Sequence, residues 1–259
     1  MSVLDSIIEG VLADQVHRQL SESELAERII AAGAPRDALK SLRRNPFSVI
    51  AEVKRSSPSK GSLAEIGDPA NLAMKYQQGG ASVVSVLTEA RRFGGSLEDF
   101  TLVREKIEIP MLRKDFVVNE YLVRESRAFG ADLMLLIVAA LPGDSLQELY
   151  ALGTELGMQI LVEVHDEVEL ERALTINPKI IGVNARNLKT LEIDIANFTT
   201  LLPQIPSHIY RVAESGISTL SDVEVAVRAG ADAILVGETL VKSGTPEATI
   251  AEFLSVGKR

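Results

Sequence analysis

Residues 129–170 read FGADLMLLIVAALPGDSLQELYALGTELGMQILVEVHDEVEL and hold two short apolar runs separated by room for one helix. In LMLLIV at 133–138 and ILV at 160–162, aliphatic residues follow one another without alternation. A strand with one solvated face would alternate, so both runs are expected to be strands covered on both faces, as in a parallel sheet. Residues 145–155 between them have helical length, and strand, helix and strand in this order make a βα unit. Gly130, just before the first run, suits the left-handed conformation that ends a helix and turns the chain into a strand.

The same unit recurs in both directions from this stretch. Apolar runs at 48–53, 81–87, 109–112, 132–138, 158–162, 179–183, 209–213 and 233–236 lie about 26 residues apart on average, the length of one βα unit. Gly-Ala followed by Ser or Asp precedes three of them, at 80–82, 130–132 and 230–232. Eight such units with a weak internal repeat predict an α/β fold, a (β/α)8 TIM barrel rather than a doubly wound sheet. Helices are expected near 3–19, 22–32, 69–78, 97–106, 120–129, 145–155, 167–175 and 219–229. Pro69 suits a first turn, and the stretch from Ser218 to Asp222 offers capping oxygens. Two of these helices precede the first strand, where Leu4, Ile7, Ile8, Val11 and Leu12 recur at steps of three and four and mark one face to bury. Residues 1–46 are thus expected to be a helical extension packed on the barrel, a dimerisation arm being the alternative. Ten prolines and eighteen glycines are scattered and form no linker, so residues 1–259 are read as one domain.

A formal charge of −9 provides no basic footprint for nucleic acid or anionic lipid. The longest apolar run, from Leu133 to Leu141, is too short to span a bilayer, so no membrane segment is expected. The opening residues MSVLDSIIEGVLAD lack a basic region and a small-residue cleavage site, which predicts a cytoplasmic protein. Without cysteine the chain has no disulfide, thiolate nucleophile or Cys-based metal site. His17, His165 and His208 stand nowhere at ligand spacing, so no metal is expected, and His165 reads as a solvent-facing loop residue. No stripe on the outer helices marks a subunit interface; a monomer is expected, with a dimer as the alternative.

Charges at the carboxyl ends of the strands carry the functional signal. Glu52 and Lys54 end the first strand, Lys114 the third, Glu163 the fifth, Asn184 the sixth and Glu214 the seventh. An acid at such a place is often only a loop residue bonded to a backbone amide. In a barrel, however, these ends converge on one mouth, so all six are expected in one pocket. Acids and amines gathered there tune one another, so that a lysine can donate a proton and a carboxylate accept one: a proton-transfer site. Turns after the seventh and eighth strands, at Ser215-Gly216 and Gly237-Glu238, are expected to present backbone amides to a phosphate, with the Glu238 side chain directed away. Neither is a Walker loop or a dinucleotide fingerprint, so no nucleotide cofactor is expected. The polar loop 88–96 reads either as a closing loop over an anion or as a plain surface loop, and its Phe93 needs a pocket or an aromatic ligand to cover it.

Seven motifs along the chain occur in the order found in a known family. AEVKRSSPSKG at 51–61, SVLTEARRFGGSLEDF at 85–100, LRKDF at 112–116, LVEVH at 161–165, GVNARNLKT at 182–190, AESGI at 213–217 and LVGE at 235–238 resemble those of the indole-3-glycerol phosphate synthase family. The resemblance implies closure of the indole ring of 1-(2-carboxyphenylamino)-1-deoxyribulose 5-phosphate, with loss of carbon dioxide and water and with no cofactor. It implies Lys114 as the general acid of ring closure, Glu163 as the base of the dehydration and Lys54 as the second acid, also able to meet the substrate carboxylate. Glu52 would hold the lysines, Asn184 would hydrogen-bond the substrate, and Glu214 would orient a hydroxyl or a lysine. Arg186 would face the anionic end of the substrate. Ser57 would join Ser215, Gly216, Gly237 and Glu238 in the phosphate cradle, and Phe93, Phe116, Leu135 and Leu188 would wall the anthranilate ring. Ala185 and Val241 depart from the family pattern, beside these contacts rather than at them. The alternatives are another phosphate-binding barrel enzyme, such as a phosphoribosylanthranilate isomerase-like protein, and a non-catalytic barrel; the trio Lys54, Lys114 and Glu163 speaks against both.

Overall fold

In the computed structural model, which describes residues 2–58, 61–63, 65–188 and 190–257, the eight apolar runs form eight parallel strands closed into a barrel. Motif residues Ser59, Lys60 and Lys189 lie outside the described residues. The strands are β1 (Ser48–Val53), β2 (Val83–Leu87), β3 (Met111–Lys114), β4 (Leu133–Ile137), β5 (Gln159–Val164), β6 (Ile180–Asn184), β7 (Tyr210–Glu214) and β8 (Ala233–Val236). Each pairs with its successor, and β8 closes on β1 with Ser48 opposite Ala233. Nearly every strand residue is buried, as continuous apolar runs require. Gly80, Gly130 and Gly230 have φ of +96°, +88° and +97°, so the repeated Gly-Ala step is the left-handed turn from helix to strand.

Four strands reach one or two residues beyond the apolar runs. The ladder is held by backbone groups, so a polar side chain does not end it. Lys114 pairs with Leu87, Glu163 with Ile137, and Asn184 with Glu214, all inside the sheet. The polar residues are therefore positioned by strand geometry and not by loops.

Helices connect the strands as expected at Pro69–Gln78, Leu97–Arg104, Glu120–Ala128, Ser145–Glu155, Glu167–Thr175 and Leu220–Arg228. Four further helices, Ala38–Leu42, Ala196–Leu201, Glu238–Lys242 and Pro246–Val256, were not expected; three are six residues or shorter, too short for a helical period to register. The fourth packs so closely that a Cβ on Gly79 would lie 2.8 Å from the Glu247 backbone.

The two N-terminal helices, α1 (Val3–Arg18) and α2 (Glu22–Ala31), both start with a capping box, from Ser2 with Asp5 and from Ser21 with Glu24. Leu4, Ile7 and Val11 of α1 are buried, whereas Leu12, expected on the same face, is 38% exposed. The buried Arg127 donates to the carbonyl of Ala32 at 3.3 Å, and the backbone N–H of Arg36 donates to Asp132 at 2.7 Å, fastening the segment beyond α2. Arg18 on α1 donates to Glu125 at 3.0 Å, and Glu125 also accepts from the fully buried Arg113 at 2.8 Å.

Candidate active site

All sixteen residues singled out from the sequence line one cavity at the carboxyl ends of the strands. Alternation along β3 sends Lys114 inward and its neighbours Arg113 and Asp115 toward the helices, where they pair at 3.0 Å. Lys114 Nζ lies 3.0 Å from Glu163 Oε2 and 3.5 Å from Glu214 Oε2. Lys54 Nζ lies 2.7 Å from Glu52 Oε2. Two lysines are thus each held against acids from the strand layer beneath.

Space for those acids comes from missing side chains. A Cβ on Gly182 would lie 2.0 Å from Glu214 Oε1, and one on Gly237 would lie 2.5 Å from Glu52 Oε2. Neither position tolerates alanine without moving a carboxylate.

Electrostatics separates the roles. Burial opposes the charge on Lys114, but its acidic neighbours, Glu163 foremost, outweigh it and raise its pKa, so the amine is an ammonium. Burial also opposes ionisation of Glu163, yet Lys114, His165 and a hydrogen bond from Asn184 hold its carboxyl well below the usual range. Glu214 goes the other way: burial raises its pKa, Lys114 opposes, and the negative charges of Glu163 and Glu52 reinforce the rise. Of two adjacent buried carboxyl groups, one is ionised and the other keeps its proton, as like charges at this range require.

The opposite wall is apolar. Phe93 and Phe116 stack tilted with ring centroids 6.1 Å apart, which supplies the cover that Phe93 needs. Leu135 and Leu188 line the same cavity, joined by Val3, Leu4 and Ile7 of α1 and by Leu191 and Ile193, none of which the sequence placed here. The three- and four-residue periodicity of α1 showed that it had a face to bury but not which surface received it.

The turns after β7 and β8 meet at the rim. Ser215 and Gly216 have φ of +67° and +75°, a left-handed pair that costs Ser215 backbone strain. The Thr239 hydroxyl donates to the Ile217 carbonyl at 2.8 Å and ties the two turns together. Glu238 pairs with Lys242 at 2.8 Å, along its own helix. Ser57 Oγ is buried at the same rim with no hydrogen-bond partner among the described residues. Arg186 donates to the Leu191 carbonyl at 3.1 Å, and its backbone bridges to Ile193.

The loop 88–96 is organised by a buried carboxylate. Glu89 accepts from the backbone N–H groups of Arg91, Arg92 and Phe93 at 3.0, 2.7 and 2.9 Å. Arg91 pairs with Asp14 at 2.7 Å and Arg92 donates to Ser6 at 3.2 Å, so the basic residues grip α1 rather than line the cavity.

One expectation fails at His165. It is not solvent-facing: its side chain is 10% exposed, with Nε2 3.2 Å from Glu163 Oε1 and Nδ1 2.9 Å from Glu169 Oε2. The spacing of two from Glu163 placed it on the same side of the chain, but the second acid arrives from the following helix, four residues on, and no strand rule announces it. Among the described residues no His, Asp and Glu side chains group as a metal-binding set.

Over residues 5–253 the chain matches the family described as indole-3-glycerol phosphate synthase. A protein of that name from Streptomyces griseus is 54% identical over 259 residues, covering 99% of this chain and 96% of the relative. Another, from Mycolicibacterium smegmatis, is 53% identical over 258 residues, covering 99% and 95%. Among solved structures, a thiamine phosphate pyrophosphorylase from Pyrococcus furiosus superposes with a TM-score of 0.62 at 14% identity, over 83% of this chain and 97% of that one. That last likeness is one of fold alone.

Proposed function

The chain belongs to the indole-3-glycerol phosphate synthase family, and on that premise we propose which side chain serves each step of the reaction. The enzyme is a decarboxylating lyase of tryptophan biosynthesis that converts 1-(2-carboxyphenylamino)-1-deoxy-D-ribulose 5-phosphate to indole-3-glycerol phosphate, carbon dioxide and water. The observation that carries the assignment is the contact of Lys114 Nζ with Glu163 Oε2 at 3.0 Å, an acid and a base side by side.

The phosphate takes the turns at Ser215-Gly216 and Gly237-Glu238, with Ser57 Oγ as a hydroxyl donor. The anthranilate ring lies against Phe93, Phe116, Leu135 and Leu188. The reacting carbons of the sugar then span Lys54, Lys114 and Glu163. As the aryl carbon attacks the ketone, the carbonyl electron pair becomes an alkoxide, which is far more basic than an amine and takes the proton from Lys114 despite its raised pKa. Loss of carbon dioxide returns its bonding pair to the ring. In the dehydration Glu163 removes a proton while Lys54 protonates the departing hydroxyl, and Glu163, hydrogen-bonded to Lys114, can return its proton there. Glu52 positions Lys54, Glu214 positions Lys114, and Asn184 and Arg186 contact the substrate's polar groups.

Residues 1–259 act as one domain, with 1–46 forming part of the site wall. The enzyme works as a cytoplasmic monomer without a nucleic-acid partner. The charge of −9 offers no basic footprint for nucleic acid, and no helix among the described residues is long and apolar enough to cross a membrane.

Indole fluorescence tests the assignment, and the absence of tryptophan keeps the protein's own signal low. The parent chain should form indole-3-glycerol phosphate, with Lys114→Ala and Glu163→Gln slower by about 10²- to 10⁴-fold. Variants that keep more than about a tenth of parent kcat would overturn the roles given to both groups.

A further inference from the structure

One ionisable side chain in contact with the base Glu163 has no task in these steps. His165 follows β5 and sits between Glu163, from that strand, and Glu169, from the helix Glu167–Thr175. Its position is fixed on three sides. Glu169 Oε2 accepts from the His165 backbone N–H at 2.9 Å as well as lying 2.9 Å from ring Nδ1. Asn197, from the helix Ala196–Leu201, donates to the His165 carbonyl at 2.8 Å. Behind Glu163 stand Lys114 of β3 and Glu214 of β7. A neutral imidazole has one N–H and one lone pair, so between two carboxylates it would turn the lone pair on an oxygen. Only the imidazolium suits both neighbours. The approach of Nε2 to Glu163 Oε1 has ion-pair distance without hydrogen-bond alignment, which favours holding over proton relay.

We propose that His165 is a positioning residue of this enzyme: its imidazolium, gripped by Glu169, restrains Glu163 Oε1 so that Oε2 faces Lys114. It also makes Glu163, rather than Glu214, the ionised member of the carboxyl pair. The proposal rests on the reading of Glu163 as base. Burial opposes the charge on His165, but Glu163 and Glu169 outweigh it and push its pKa up to about 10, in keeping with the geometry.

Two measurements test it. In ¹⁵N-labelled protein carrying His17→Gln and His208→Gln, both at exposed positions, the remaining histidine ring reports its own protonation. Both ring nitrogens should stay protonated from neutral pH to about 8.5; a neutral tautomer at neutral pH would overturn the proposal without any change at the site. In His165→Gln, kcat should fall about tenfold with KM within about twofold, and the acidic limb of kcat/KM should move up by about one pH unit. Glu169→Gln should move that limb the same way by less. An unshifted limb, or a loss confined to KM, refutes the role of His165. If Glu163→Gln is inactive while His165→Gln matches the parent, only this inference fails; if Glu163→Gln is active, the underlying reading fails.

Discussion

Glu214 is the residue where the chemistry of the site costs the fold most visibly. The residue is 1% exposed and its carboxyl sits beside a second buried carboxylate, so its pKa rises from the ordinary 4.5 to about 8. The folded state therefore keeps a proton that the unfolded chain releases above pH 4.5, and stability falls as pH rises through that window toward 8. Glutamine cannot titrate. Thermal unfolding of Glu214→Gln should lose less stability between pH 5 and 9 than the parent does, and parallel curves would show that Glu214 is ionised throughout. At this scale the sequence was informative where a charge closed an apolar run, as Glu163 and Glu214 do. It was silent where a role depends on a partner from another element: the Glu169 that turns His165 inward, or the empty space of Gly182 that admits the Glu214 carboxylate.

Among the elements, α1 changes the picture most. Its apolar face does not merely cover the barrel, since Val3, Leu4 and Ile7 line the same cavity as Lys114. Ile7 is 4% exposed, so Ile7→Ser removes buried methyl groups and leaves a hydroxyl with little to bond. Urea titration should show a loss of about 2–4 kcal/mol, and KM should rise severalfold with kcat changed less. An unchanged KM would mean that the helix is a cover and not a wall of the site. The helices Ser145–Glu155 and Glu167–Thr175 were legible to the residue because each holds a full amphipathic pattern, with Asp166 capping the second. Ala196–Leu201 and Glu238–Lys242 carry under two turns of pattern, and the ends of β3 and β5 were hidden by the polar residues they display.

For the whole molecule, closure of the sheet is what turns scattered residues into a reaction centre. Lys114, Glu163, Asn184 and Glu214 come from four strands and Lys54 from the residue just past a fifth, across more than half the chain, and only the barrel brings them within reach of one substrate. That convergence was legible from the count and spacing of apolar runs, because parallel strands must present their carboxyl ends on one side. The central claim is that acid and base from different strands serve different steps, Lys114 ring closure and Glu163 the later dehydration. A single turnover with substrate labelled in the carboxyl carbon, following released carbon dioxide and indole fluorescence together, tests it most directly. In Lys114→Ala both signals should fall in proportion, whereas in Glu163→Gln carbon dioxide should appear well ahead of indole. Proportional loss of both signals in Glu163→Gln would contradict the division of steps between the two strands.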